Sequence, residues 1–295
     1  MPSLRDIRNR IGSVRSTRQI TRAMKMVSAA KLRRAQDAIL RTRPYAQLLD
    51  QMLSRVAARA APEEAGKHPL LVARPPRSIE VVVITSDRGL AGGFNSNIAR
   101  RTQRFLVENA ERFEKVALST IGRKGRDYFR ARRIEIRKDW TGVQAALRYE
   151  RGEAIAEELT ARFTAGEVDA VFLCYNEFKS AISQKPVVVQ LLPIEPPKGG
   201  EEKGPGEPAA VDFKFEPARQ ELLGELLPRQ VAMQVWRALL ESAASEHGAR
   251  MSAMESATKN AEEMIASLTL QYNRARQAYV TKELLEIVSG AEALK

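Results

Sequence analysis

Both ends of the chain carry long tracts almost free of helix breakers. From Leu4 to Ala58 there is one glycine, Gly12, and one proline, Pro44. From Arg229 to Lys295 there is no proline, and the glycines are Gly248 and Gly290. Tracts of this length predict helices several times the usual mean of ~11–12 residues. At 1.5 Å per residue each would extend roughly 80–100 Å. Helices this long are rare inside a compact domain, and their apolar stripes must be covered by each other or by another chain. Between them lie strand-like runs punctuated by Gly and Pro, so the chain reads as two rods with a globular segment inserted.

The stripes support that reading. Near the start, Leu4, Ile7, Ile11 and Val14 are spaced 3-4-3; the stripe then re-phases to Ile20, Met24 and Val27, and continues with Leu32, Ala35 and Ile39. Pro44 should kink this helix or remove one of its hydrogen bonds. Near the other end, Met251, Met254, Thr258, Ala261, Ile265, Leu268, Tyr272, Ala275 and Tyr279 keep 3-4 spacing, the pattern of a coiled-coil seam. The long connection lets the two terminal helices pair antiparallel. Past Tyr279, the residues Val280, Leu284, Leu285, Ile287 and Val288 are apolar on several sides. A tip of that kind needs an enclosing protein collar.

In the middle, SIEVVVITS (78–86), KVALSTI (115–121), IEIRKDW (134–140), VDAVFLCYN (168–176) and QKPVVVQLLPI (184–194) read as strands. Helical runs over about 96–113, 124–131 and 145–163 separate the first four of them. This alternation predicts an α/β layer with a mostly parallel, Rossmann-like sheet. The Pro/Gly/Glu/Lys-rich stretch 195–210 reads as a mobile surface loop. The expected organisation is a helix over 1–60, an inserted α/β domain over 76–195, a loop over 196–212 and a second helix over 213–295.

Charge narrows the partners. The net charge of +12 is concentrated at the start, where residues 1–43 hold twelve basic side chains against Asp6 and Asp37. Such a helix suits an acidic partner: nucleic acid, an anionic membrane surface or acidic loops on another protein. Residues 1–44 contain no aromatic side chain to stack on bases, and the matching heptad lies at the opposite end of the chain. Both points argue against nucleic acid.

Catalytic chemistry is poorly supplied. Cys174 is the single cysteine, so there is no internal disulfide, and its apolar run makes it a buried small hydrophobe. His68 and His247 are far apart, which leaves no zinc set of soft ligands. The turn SDRGLAGGFN follows a strand and opens a helix, where a phosphate loop would sit. It matches neither GxGxxG nor GxxxxGK[ST], so a tight turn needing positive φ is the competing reading. No run of 18 apolar residues occurs, and MPSLRDIRNRI has no apolar signal core, so the opening is read as mature protein.

Several runs resemble the gamma subunits of F-type ATP synthases, nearly end to end. They are IRNRIGSVRSTRQITRAMKMVSAAKLRRAQ, SDRGLAGGFN (Ala91 where many members carry Cys), SQKPVVVQLLPI, EHGARMSAMESATKNAEEMI and LQYNRARQAYVTKELLEIVSGAEAL. The resemblance implies a non-catalytic rotor without cofactor or metal. Its antiparallel coiled coil would turn inside three alpha and three beta subunits, transmitting proton-driven rotation of the c-subunit ring. Catalysis would belong to beta, and the α/β domain would lie near the epsilon subunit and the c ring, peripheral at the cytoplasmic face of the inner membrane. Residues carried over to beta contact are Met24, Glu246, Arg250, Arg276, Gln277 and Thr281. Contact with the c ring falls at Phe213 and Glu216. Tyr279, Val280 and Lys282 replace the family's usual Ser, Ile and Gln, and His247 replaces a common Gln. The alternatives are a nucleotide-binding enzyme built on the α/β domain and a basic coiled-coil nucleic-acid binder.

Overall fold

The computed structural model describes residues 3–58, 68–194 and 219–293. The expected loop at 195–210, together with Phe213 and Glu216, lies outside the described residues. The chain divides into two compact units. One comprises Met1–Ala29 with Arg250–Lys295, and the other Ala30–Ala249. The elements in order are α1 (Leu4–Ala58), β1 (Ser78–Ile84), α2 (Phe94–Glu108), β2 (Lys115–Ile121), α3 (Arg123–Arg130), β3 (Lys138–Trp140), α4 (Tyr149–Thr164), β4 (Ala170–Phe178), β5 (Gln184–Leu192) and α5 (Arg219–Ala293).

The unit of residues 30–249 is built on a five-stranded sheet of order β3-β2-β1-β4-β5. Pairs β1–β2, β1–β4 and β2–β3 are parallel, and β4–β5 is antiparallel. Strand β1 is central, which explains its unbroken apolar run: Val81, Val82, Val83 and Ile84 have no exposed surface, because helices cover both faces of a parallel sheet. On one face Val82 and Ile84 pack with Leu159 and Phe163 of α4, Leu49 and Leu53 of α1, and Val231, Val235 and Leu239 of α5. On the other, Ile79, Val81 and Val83 meet Ile98 of α2, Phe129 of α3 and Cys174. An aromatic group of Phe105, Phe113 and Phe172, with centroids 5.1–6.1 Å apart, closes that side.

Two local expectations change. The run IEIRKDW forms a strand only over Lys138–Trp140, because Ile134 and Ile136 instead pack against the aromatic side of the core. The helix expected to reach residue 113 ends at Glu108, where the Asn109 N–H donates to Val107 O and its carbonyl accepts from the N–H groups of Arg112 and Phe113 in the turn that follows. Helix α1 runs on through Pro44, and α5 contains Pro228. Each proline removes one hydrogen bond at a cost of about 3 kcal/mol. Burial of Leu49 and Leu53 after the first, and of Val231 and Val235 after the second, offsets that cost.

Helix α5 passes the β4–β5 hairpin so closely that a Cβ on Gly248 would lie 3.2 Å from both Cα and O of Ala181. Any side chain there would make the hairpin backbone at Ala181 give by a few tenths of an ångström. On β4, the Cys174 thiol is fully buried, and burial pushes its pKa up to about 12. At pH 8 the thiol should give no reaction with Ellman's reagent in the folded chain and one equivalent after denaturation. Rapid labelling of the native protein would contradict this burial.

Candidate functional site in the paired helices and the glycine-rich turn

The unit formed by the chain ends begins at a capped helix start. Ser3 donates from its N–H and its hydroxyl to Asp6 Oδ2 at 3.1 and 2.7 Å, and Asp6 N–H returns a bond to Ser3 Oγ at 3.2 Å. The Ser3 hydroxyl, then its N–H, hold the Asp6 carboxyl below its ordinary pKa. Beyond this cap, Ile7 and Ile11 bury against Leu268, with Val14, Tyr272 and Ala275 packed around them. Further along, the Thr21 and Thr258 hydroxyls meet at 2.8 Å, and Lys25 Nζ reaches Glu255 Oε1 at 2.7 Å. As residue numbers rise on α1, those of their partners fall on α5, so the two segments run in opposite directions.

The buried line on α5 follows the one read from the sequence through Met254, Ala261 and Leu268 to half-buried Tyr272 and Ala275, but it does not reach Tyr279, which is 58% exposed. On α1 the sequence reading needs correction. The stripe does not re-phase to Ile20 and Val27, which are 60% and 56% exposed. It continues from Ile11 and Val14 through Thr21 and Ser28 to Leu32 and Ala35. Two buried hydroxyls were hidden from a purely hydropathic reading. They are tolerated because each is bonded: Thr21 to Thr258, and Ser28 to Met24 O at 2.8 Å. The unbroken 3-4 spacing of 7, 11, 14, 18, 21, 25, 28, 32 and 35 was the available signal.

Met24 is half-buried on α1. Glu246 and Arg250 are buried, 7% and 8% exposed, and neither is without a partner. Arg276, Gln277 and Thr281 are exposed, as is every described side chain of α5 from Arg276 to Ser289, including Tyr279, Val280, Leu284, Leu285, Ile287 and Val288. Along α1 the side chains of Arg5, Arg8, Arg10, Arg15, Arg22, Arg33, Arg34, Arg41 and Arg43 are exposed.

The glycine-rich turn is closed upon itself. Asn95 Oδ1 accepts from Ser86 N–H at 3.0 Å, and Ser86 Oγ donates to Arg88 O at 2.6 Å. Ala91 and Phe94 are buried, and Asn176 of β4 donates to Phe94 O at 3.2 Å, tying down the crevice at the carboxyl ends of β1 and β4. At the amino end of α3, Arg123 N–H donates to Asp87 Oδ1 at 3.1 Å, Lys124 N–H to Ser86 O at 3.0 Å and Gly125 N–H to Thr85 Oγ1 at 2.8 Å. The donors at the start of α3, and the Phe94 and Asn97 N–H groups at the start of α2, are bonded to the chain's own oxygens rather than left open to a phosphate. Gly92 has φ 54°, as the tight-turn reading requires. Gly122 is the more constrained glycine: its φ is 98°, and a Cβ there would lie 2.2 Å from Thr85 O.

Among the described residues no three His, Cys, Asp or Glu side chains come together to hold a metal ion, and no helix is long and apolar enough to cross a membrane.

A family model described as ATP synthase matches residues 3–294. The ATP synthase gamma chain of Anaeromyxobacter sp. (strain Fw109-5) is 80% identical over 295 residues, all of both chains. That of Pelotomaculum thermopropionicum is 50% identical over 296 residues, again covering both. A chain from the central stalk and c ring of the Tetrahymena thermophila mitochondrial ATP synthase superposes with a TM-score of 0.59 at 28% identity, covering 81% of this chain and 99% of that one. A rotor chain of the Euglena gracilis mitochondrial enzyme shares the fold, with a TM-score of 0.64 at 23% identity over 94% of this chain and 98% of that one. The chain belongs to the ATP synthase gamma chain family.

Proposed function

We propose that this chain is the central shaft of a rotary ATP synthase, carrying torque between a membrane c ring and a hexamer of alpha and beta subunits that holds the nucleotide sites. The observation that carries the reading is the opposed contact of α1 and α5 through Ile7, Ile11, Thr21 and Lys25. These contacts support an antiparallel coiled coil of the chain ends. A shaft acts on three equivalent beta subunits only if it presents a different face to each. Differential contact then biases each subunit toward a different conformation, and turning the shaft exchanges those biases. A shaft symmetric about its axis would bias nothing.

In this reading the exposed arginines of α1 face acidic loops on beta, and the apolar tip of α5 turns inside a collar of alpha and beta. Arg276, Gln277 and Thr281 form a polar catch on beta, with Met24 near its loops. Glu246 and Arg250 hold the shaft where it meets beta. Phe213 and Glu216 lie toward the c ring, and the α/β unit toward epsilon. The chain is peripheral at the cytoplasmic face of the inner membrane, and the chemistry of ATP remains in beta. The self-bonded glycine-rich turn favours this over a nucleotide-binding enzyme.

The test is the double substitution Arg276→Ala with Gln277→Ala in the assembled complex. Removing two exposed polar contacts should cost several-fold in ATP-driven proton pumping per ATP hydrolysed, at about 1–3 kcal/mol for hydrogen bonds to a charged group. ATP hydrolysis itself should survive. Unchanged assembly together with unchanged pumping would remove the catch from these residues.

A further inference from the structure

The helix pair contains a hydroxyl contact at a place where apolar packing would be expected. Thr21 is 8% exposed. Its Oγ1 lies 2.8 Å from Thr258 Oγ1, and Thr258 Oγ1 in turn donates to Met254 O at 2.7 Å. Read as a chain, Thr21 donates to Thr258 and Thr258 to the backbone, so both protons are used. Thr21 has a second acceptor, Arg18 O, at 3.0 Å. Around this contact the interface is made of side chains that carry little directional information: Ile7, Ile11, Leu268, Met254 and Ala261. Apolar contacts of similar volume exchange at small cost, so they distinguish poorly between neighbouring alignments of two helices. The ion pair of Lys25 and Glu255 is solvated, with side chains 38% and 62% exposed, and such pairs contribute little.

We propose that Thr21 and Thr258 are positioning residues that fix the axial alignment of the two helices and so keep the shaft from slipping under load. This rests on the rotor reading above. Displacing one helix by a heptad would set Thr21 against Met251 or Ile265. Its hydroxyl would then be buried against an apolar side chain and lose its cross-helix partner. A polar group at a single core position is a known means of specifying alignment at some expense of stability. Load makes the choice matter, because torque that slides the helices is dissipated.

The test is cysteine cross-linking of the full chain, alone and in the assembled complex. The pair Lys25→Cys with Glu255→Cys reports the native alignment, and Lys25→Cys with Glu262→Cys reports a displacement of one heptad. Cys174 is buried and does not compete. With both threonines present, only the first pair should form a disulfide. With Thr21→Val and Thr258→Val together, the native disulfide should fall by about twofold or more and the displaced one should appear, as when a core polar pair is removed. Thr21→Ser with Thr258→Ser keeps both hydroxyls and should restore the native pattern. If the valine variant forms only the native disulfide, the threonines do not set the alignment. If, with both threonines present, the displaced pair forms a disulfide and the Lys25→Cys, Glu255→Cys pair does not, the alignment of the helices is itself wrong.

Discussion

Replacing Glu80 with alanine is expected to destabilise the unit of residues 30–249 by about 3–5 kcal/mol, the cost of deleting one member of a buried ion network. Glu80 sits on the central strand β1 with no exposed surface. Its Oε1 accepts from Ser119 Oγ at 2.6 Å and from Arg137 Nε at 2.9 Å, with Arg137 Nη2 in ion-pair contact at 2.8 Å; its Oε2 accepts from Arg162 Nη1 at 2.8 Å. The two arginine side chains are 24% and 18% exposed, so solvent replaces the lost carboxylate poorly. They keep Glu158 at 2.9 Å and Glu167 at 2.8 Å, which limits the damage. For a unit of this size the loss corresponds to a fall in Tm on the order of 10 °C. Glu80→Gln, which keeps one acceptor, should lose less. A calorimetric change below about 1 kcal/mol in the alanine variant would mean that the network is solvated and contributes as surface pairs do.

The second large effect is expected from Ile11→Asp. Ile11 is 9% exposed against Leu268, and a carboxylate placed there has no partner in an apolar contact. Burying it unpaired costs several kcal/mol, enough to separate helices whose lone stability in water is marginal. ATP synthesis by the assembled complex should fall about tenfold or more, in line with a loss of at least 1.4 kcal/mol per decade. The near-ultraviolet circular dichroism of the α/β unit, where both tryptophans lie, should not change. Full synthesis in this variant would show that pairing of the chain ends is dispensable for torque.

These two sites differ in how far the sequence discloses them. Ile11 and Leu268 stand on 3-4 stripes, and periodicity alone marks them as interface. Glu80 is visible only as an anomaly, a carboxylate inside the apolar run IEVVVI. The anomaly says that a partner is needed, but Arg137 and Arg162 lie 57 and 82 residues away and come from separate elements. Local pattern carries no information about such distances. The same applies to Thr21, whose partner is 237 residues off. Strand β1 was legible because a central parallel strand is a near-continuous apolar run. Strand β3 was overread because Ile134 and Ile136 are apolar for a different reason, the aromatic cluster they join. Among the candidate contact residues, Arg276, Gln277 and Thr281 stand off the 3-4 positions of the stripe, which agrees with their exposure, whereas the end of burial at Ala275, short of Tyr279, was not legible from the spacing. The burial of Glu246 and Arg250 does not follow from local sequence, since both are charged residues on a helix.

The cap at Ser3 also has a mechanical consequence. Opposed partners such as Ile11 and Leu268, or Thr21 and Thr258, have numbers that add to about 279, so the residue facing Leu4 is close to Ala275. That is where burial on α5 ends. From Arg276 to Ala293 the helix runs for roughly 27 Å at 1.5 Å per residue, and its described side chains, through Ser289, are all exposed. One helix resists twisting and bending far less than two wound together. The portion that can bear heavy load therefore stops near Ala275, and what projects beyond it is suited to centring, like the pin of a pivot.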